Sequence, residues 1–167
     1  MISLDTSTVN SGYCIWHNAK YFESGTIKSQ YKKEEALYDM ITKIYSLLNK
    51  EKPDIIVIEL TSSAVNADTQ RKLTMILGAV LAWCLNNDCE FVTYRVSEWR
   101  KIIYESLDID NSLFLNKKNK VDLKKKAIYV ANKIFNLNLD DDNEAEAILI
   151  GHARIEFFAK MTNKQDA

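Results

Sequence analysis

The chain is poor in residues that break or cross-link a fold. Its 167 residues include four glycines, one proline, two histidines and three cysteines. So few glycines and prolines, beside 47% apolar residues, argue against a disordered or loop-rich chain and give a single domain over 1–167 enough apolar side chains for a core. Cys14, Cys84 and Cys89 are odd in number, sit in apolar settings and lack C-x-x-C spacing, so they read as reduced core thiols and not as a disulfide framework or zinc site. His17 and His152 are too far apart to change that. No apolar run approaches the length of a membrane span, and Met1 leads straight into β-type sequence without a signal-peptide pattern. A cytoplasmic protein with no membrane partner is therefore expected. Net charge is −1, so any attraction to nucleic acid has to come from a local patch.

What the chain does have is carboxylates in costly places. Asp5 closes the apolar run Met1-Ile2-Ser3-Leu4, and Glu59 closes Ile55-Ile56-Val57-Ile58. The acidic run Asp140-Asp141-Asp142-Asn143-Glu144-Ala145-Glu146 opens a long apolar helix-like stretch. A carboxylate at the end of a buried strand is unfavourable unless something cationic neutralises it. Alone, Asp5 could start a turn, and Glu59 could be a surface charge beyond its strand. Three such features in one small domain favour a shared divalent cation, and with it metal-assisted phosphodiester chemistry. Both strand-end acids are followed by Ser/Thr-rich loops and not by arginine partners.

Periodicity places these residues on elements. Three short strands are expected in the first 28 residues: Met1 to Asp5, Tyr13 to Trp16, and Tyr21 to Ile27, with a tight turn near Asn18-Ala19. Lys32 to Lys50 reads as an amphipathic helix, ended by Pro53 before a strand from Ile55 to Leu60. A second helix spans about Thr69 to Leu85, and a fifth strand Phe91 to Val96. Ser97 is expected to cap a short helix carrying Glu98 and Trp99 in its first turn. Asp108 to Asn119 reads as a polar, mobile loop, before helices over about Val121 to Phe135 and Asp141 to Met161. The order implies an α/β domain with a five-stranded mixed sheet flanked by helices.

On the last helix, residues four apart share a face, so Asp142 and Glu146 project together while Asp141 and Glu144 share another face. Acids in a first turn also complement the helix dipole. That accounts for Asp140 to Asp142 but poorly for Glu146, which lies deeper and next to the apolar stripe. Lys117, Lys118, Lys120, Lys124, Lys125 and Lys126 fall within ten residues, opposed only by Asp122. They form either a solvated face or a phosphate-contacting patch. His152 reads as a core histidine or a proton shuttle, and Trp16, Trp83 and Trp99 as core or rim aromatics.

These segments resemble the RuvC-type Holliday junction resolvases. Ile2-Ser3-Leu4-Asp5-Thr6-Ser7-Thr8, followed by Ser11-Gly12-Tyr13, is similar to the family's opening, and Ile56-Val57-Ile58-Glu59 to its second acidic strand. Val96-Ser97-Glu98-Trp99-Arg100-Lys101 resembles a segment common in phage-borne members, and Asn143-Glu144-Ala145-Glu146-Ala147-Ile148 the closing helix motif. The likeness runs in order from residue 1 to about 158. It implies a ribonuclease H-like fold, a homodimer, and Mg²⁺- or Mn²⁺-dependent nicking of Holliday junctions and related branched DNA, in the host cytoplasm if phage-encoded. Two departures stand out. Glu146 is one methylene longer than the family's usual Asp, and Asn143 replaces an acid or histidine, making Asp142 the candidate fourth ligand. The expected ligand set is Asp5 as a bridge between two ions, Glu59 on one and Glu146 with Asp142 on the other. Asn143 or the Asp141/Glu144 pair are the alternatives to Asp142. Lys117, Lys118, Lys120 and Lys124 are expected to hold the DNA backbone. A non-catalytic branched-DNA binding protein and a ribonuclease H-type hybrid nuclease are the rival readings. One lobe of an actin-like ATPase is disfavoured by the missing second glycine-rich phosphate loop.

Overall fold

The computed structural model describes residues 1–60, 66–105 and 107–165. Strands β1 (Ile2–Asp5), β2 (Asn10–His17), β3 (Lys20–Lys28), β4 (Ile55–Leu60) and β5 (Glu90–Arg95) form one sheet in the order β3-β2-β1-β4-β5. The first three strands pair antiparallel, whereas β1–β4 and β4–β5 pair parallel. The β2–β3 hairpin turns at Asn18 and Ala19, both at positive φ, as the two-residue turns that match strand twist require.

Helices α1 (Lys33–Glu51) and α2 (Ala67–Asn86) cover one face of the sheet. Helices α3 (Val96–Tyr104), α4 (Leu123–Phe135) and α5 (Asp142–Gln165) cover the other. This is the expected α/β layout. Strands β1 and β4 are buried on both faces and so carry near-continuous apolar runs. Their period of two still decides the chemistry. Ile2, Leu4, Ile56 and Ile58 pack with α1 and α2, while Ser3 and Val57 face α5. Asp5 and Glu59 share the parity of Ser3 and Val57, and they follow the last registered β1–β4 pair, Leu4 with Ile58. Both carboxylates therefore reach the α5 side of the sheet at adjacent strand ends.

Three local expectations are corrected. Helix α3 begins at Val96, ahead of Ser97, because the Glu98 carboxylate takes the Arg95 N–H at 2.7 Å and closes the turn one residue earlier. Asp108 to Asn119 has local structure: a 3-10 turn at Asn111–Phe114 buries Phe114, and Leu115 bridges to Val121. Asp122 caps α4, accepting the Lys125 N–H at 3.2 Å. The Ser/Thr-rich segment expected after Glu59 lies, at 61–65, outside the described residues. No helix among the described residues is long and apolar enough to cross a membrane.

Candidate metal centre

Asp5, Glu59 and Glu146 meet where β1, β4 and α5 converge. Each offers a carboxylate oxygen, and the three oxygens lie within 4.8 Å of one another. Asp5 and Glu59 are partly buried and Glu146 is buried. Burial pushes the Asp5 carboxyl well above the usual aspartate range, and the charges of Glu146, Glu59 and Asp142 push it further. Burial also raises Glu59, opposed by a hydrogen bond from Trp99, and raises Glu146, opposed by Arg100. Three oxygen donors from three elements, each made uncomfortable by burial and by its neighbours, form a hard-cation donor set. The residues fit a divalent metal.

Helix α3 supplies two site residues that sequence reasoning did not assign. The Trp99 indole, fully buried, donates to Glu59 Oε2 at 2.6 Å. Its neighbour Arg100 donates from Nη2 to Glu146 Oε1 at 2.6 Å and lies 5.0 Å from the Trp99 ring centroid. The only signal in the sequence was the Val96–Lys101 resemblance, which carried no role for either residue.

Asp142 starts α5 and is close enough to raise Asp5, yet it stands outside the group of three and its carboxylate pairs with the Lys124 ammonium. The contact engages Oδ2, so Lys124 competes with any cation for that oxygen. Asp141 and Glu144 turn toward β2 and β3. Asp141 accepts from the Asn10 amide and from the backbone N–H groups of Asn143 and Glu144, and Ser24 donates to Glu144 at 2.6 Å. The Asn143 side chain donates to Asp141. His152 packs edge-on to Phe135 and has Glu156 at 3.9 Å, outside the acidic group.

The position of Glu146 depends on how closely α5 lies on the sheet. Ser3 Oγ donates to the Ala147 carbonyl at 2.7 Å and accepts from the Trp16 indole at 2.9 Å, a buried relay joining β1, β2 and α5. A Cβ on Gly12 would fall 1.9 Å from the Asn143 carbonyl oxygen. Gly12 is there because the first turn of α5 occupies the space a side chain would need.

Lys117, Lys118 and Lys120 are exposed on the connection into α4. Asn116 holds its tip by accepting the N–H groups of Lys118 and Lys120 at 2.9 and 3.1 Å. Lys124 is set apart from them by its contact with Asp142. Lys126 is buried, donates to Asn111 Oδ1 at 2.7 Å and lies over the Tyr104 ring, so it ties the 3-10 turn to α4 and leaves the phosphate-contacting patch.

No protein-family model matches the sequence, and no match is found among curated protein sequences. Solved structures do match. Thermus thermophilus RuvC in complex with a Holliday junction substrate aligns with a TM-score of 0.70 over 96% of each chain at 14% identity. The yeast mitochondrial Holliday junction resolvase Ydc2 aligns at 0.60, with 13% identity, over 99% of this chain and 82% of that one. The fowlpox virus resolvase in complex with Holliday junction DNA aligns at 0.58, with 15% identity, over 94% and 97%. The fold is thus the ribonuclease H-like one of the RuvC-type resolvases, as the sequence resemblance implied.

Proposed function

We propose that this protein is a divalent-metal-dependent endonuclease that nicks Holliday junctions and related branched DNA. The observation that carries the reading is the Asp5–Glu59–Glu146 triad, its oxygens within 4.8 Å of one another, on a fold shared with junction resolvases. Mg²⁺ or Mn²⁺ bound there would supply an activated water and stabilise charge on the leaving 3′ oxygen. Asp5 and Glu59 would hold the ion, with Glu146 contributing from the carboxylate that Arg100 also contacts. Trp99 fixes the Glu59 carboxylate through its indole N–H. Asp142 is the reserve ligand, with Lys124 competing for its Oδ2.

Lys117, Lys118 and Lys120 hold the phosphate backbone from the exposed connection before α4, and Lys124 joins them when DNA draws it away from Asp142. Two-fold junction symmetry calls for two sites at fixed spacing, so a homodimer is part of the proposal. Helix α2 supports it with an exposed stripe of Met75, Gly78, Ala82 and Leu85, where Gly78 has open space above it.

Labelled four-way junction, linear duplex and RNA–DNA hybrid, each incubated with Mg²⁺ and with chelator, test the proposal. Nicks in the junction that need Mg²⁺ are expected. Junction binding without any nick would make the protein a branched-DNA binder, and faster cutting of the hybrid would make it a hybrid nuclease.

A further inference from the structure

The acidic site carries two cationic side chains of very different standing. Lys124, on Asp142, is 71% exposed at its side chain. Arg100, on Glu146, is 20% exposed and faces a carboxylate side chain that is 11% exposed. Arg100 also lies over the Trp99 ring, whose indole is held onto Glu59 from the same helix. Its Nε–H is buried and has no hydrogen-bond partner among the described residues. A guanidinium in such a place is costly unless its charge is needed. The need is visible in the charges that converge there. Asp5, Glu59, Glu146 and Asp142 bring four negative charges, and Arg100 and Lys124 return two positive ones. With all four carboxylates ionised, what remains is the charge of one divalent ion, and a second ion calls for negative charge from outside the site, such as a DNA phosphate.

Resting on the reading that the triad holds a divalent ion, we infer that Arg100 is a resident counter-cation that competes with metal for Glu146. The resting site then takes one ion, held mainly by Asp5 and Glu59. A second ion enters only after the guanidinium has left the Glu146 carboxylate. Arg100 is thus a positioning residue that sets metal stoichiometry and affinity. Its unpaired Nε–H, beside the Nη2 that Glu146 releases, presents the fork that suits a phosphate oxygen pair.

Mn²⁺ binding to the metal-free full-length chain, measured by titration calorimetry and equilibrium dialysis without DNA, tests this. Wild type should bind one tight ion per chain, and Glu59→Gln should lose it. Arg100→Gln should bind a second ion, or bind the first about tenfold or more tightly, within the usual range for two ligands coupled through one group. Arg100→Lys, which keeps the charge but lacks the fork, should show a smaller gain and serves as the measurement if Arg100→Gln does not fold. Unchanged stoichiometry and affinity in whichever variant folds, on a wild type that does bind Mn²⁺, would overturn the role of Arg100 and leave the metal site standing. A wild type with no Mn²⁺ binding that depends on Glu59 would overturn both.

Discussion

Replacing Glu59 by Gln should stabilise the metal-free protein while destroying its activity. Glu59 and Asp5 sit at adjacent strand ends, neither in a direct ion pair among the described residues, with Arg100 and Lys124 acting on them only from a distance, and their oxygens are within 4.8 Å. At an effective dielectric constant near 20, two unit charges at that distance repel by about 3.5 kcal/mol. Glu146 also repels both carboxylates, and at Asp5 more strongly than Glu59 does, while Arg100 offsets part of the Glu146 charge. Protonation and entering water relieve part of the repulsion, leaving roughly 1–2 kcal/mol to be gained, or about 2–8 °C in Tm for a domain of this size. Gln keeps an oxygen for the Trp99 indole, so that hydrogen bond survives. The sign with pH follows from the direction of the shifts. Burial raises both carboxyls above their ordinary values of 3.8 for Asp5 and 4.5 for Glu59, so the folded state retains protons that the unfolded chain has released. Stability therefore falls as pH climbs from those values through the raised folded-state ones. The advantage of Glu59→Gln should be small near pH 4 and full at neutral pH. Differential scanning calorimetry in chelator from pH 4 to 8, paired with a junction-nicking assay in Mg²⁺, measures both halves. A variant less stable than wild type at neutral pH, or one that still nicks, would refute the reasoning.

Gly12→Ala should cost about 1–3 kcal/mol and abolish nicking with little loss of junction binding, because its Cβ meets backbone of α5, which cannot rotate aside; urea denaturation and gel-shift assays check the two halves. Replacing Lys117, Lys118 and Lys120 together by Ala should flatten the salt dependence of junction affinity by up to about one log-log unit per lysine, and an unchanged slope would return them to a solvated surface. Leu85→Glu on the exposed stripe of α2 should shift a dimer toward monomer in light scattering. Glu144→Gln should retain most nicking, since Glu144 is engaged by Ser24 and not by the triad.

The legible part of this molecule is the part governed by short-range periodicity. Alternation along Ile2-Ser3-Leu4-Asp5 and Ile56-Val57-Ile58-Glu59 assigns each acid to a sheet face before any tertiary contact is known, and helical spacing separates the Asp142/Glu146 face from Asp141/Glu144. What could not be read is which side chain meets which across long stretches of chain. Trp99 and Arg100 sit on an amphipathic helix whose pattern says only that Trp99 and Ile103 are buried, and nothing in it names Glu59 or Glu146 as partners. Lysines look alike in sequence, yet Lys126 is buried against Tyr104 while Lys117 is in water. The polar composition of Asp108 to Asn119 hid the anchoring by Phe114 and the side-chain bonds of Asn116.

The clamp of α5 onto the first two strands also orders events during synthesis. Asp5 and Glu59 leave the ribosome early, whereas Glu146 arrives on a helix seated by Ser3, Trp16 and Gly12, residues made long before it. A nascent chain ahead of α5 holds two of the three carboxylates and no third to gather a cation. Interrupted translation ahead of α5 then yields a fragment in which the group of three carboxylates is never assembled.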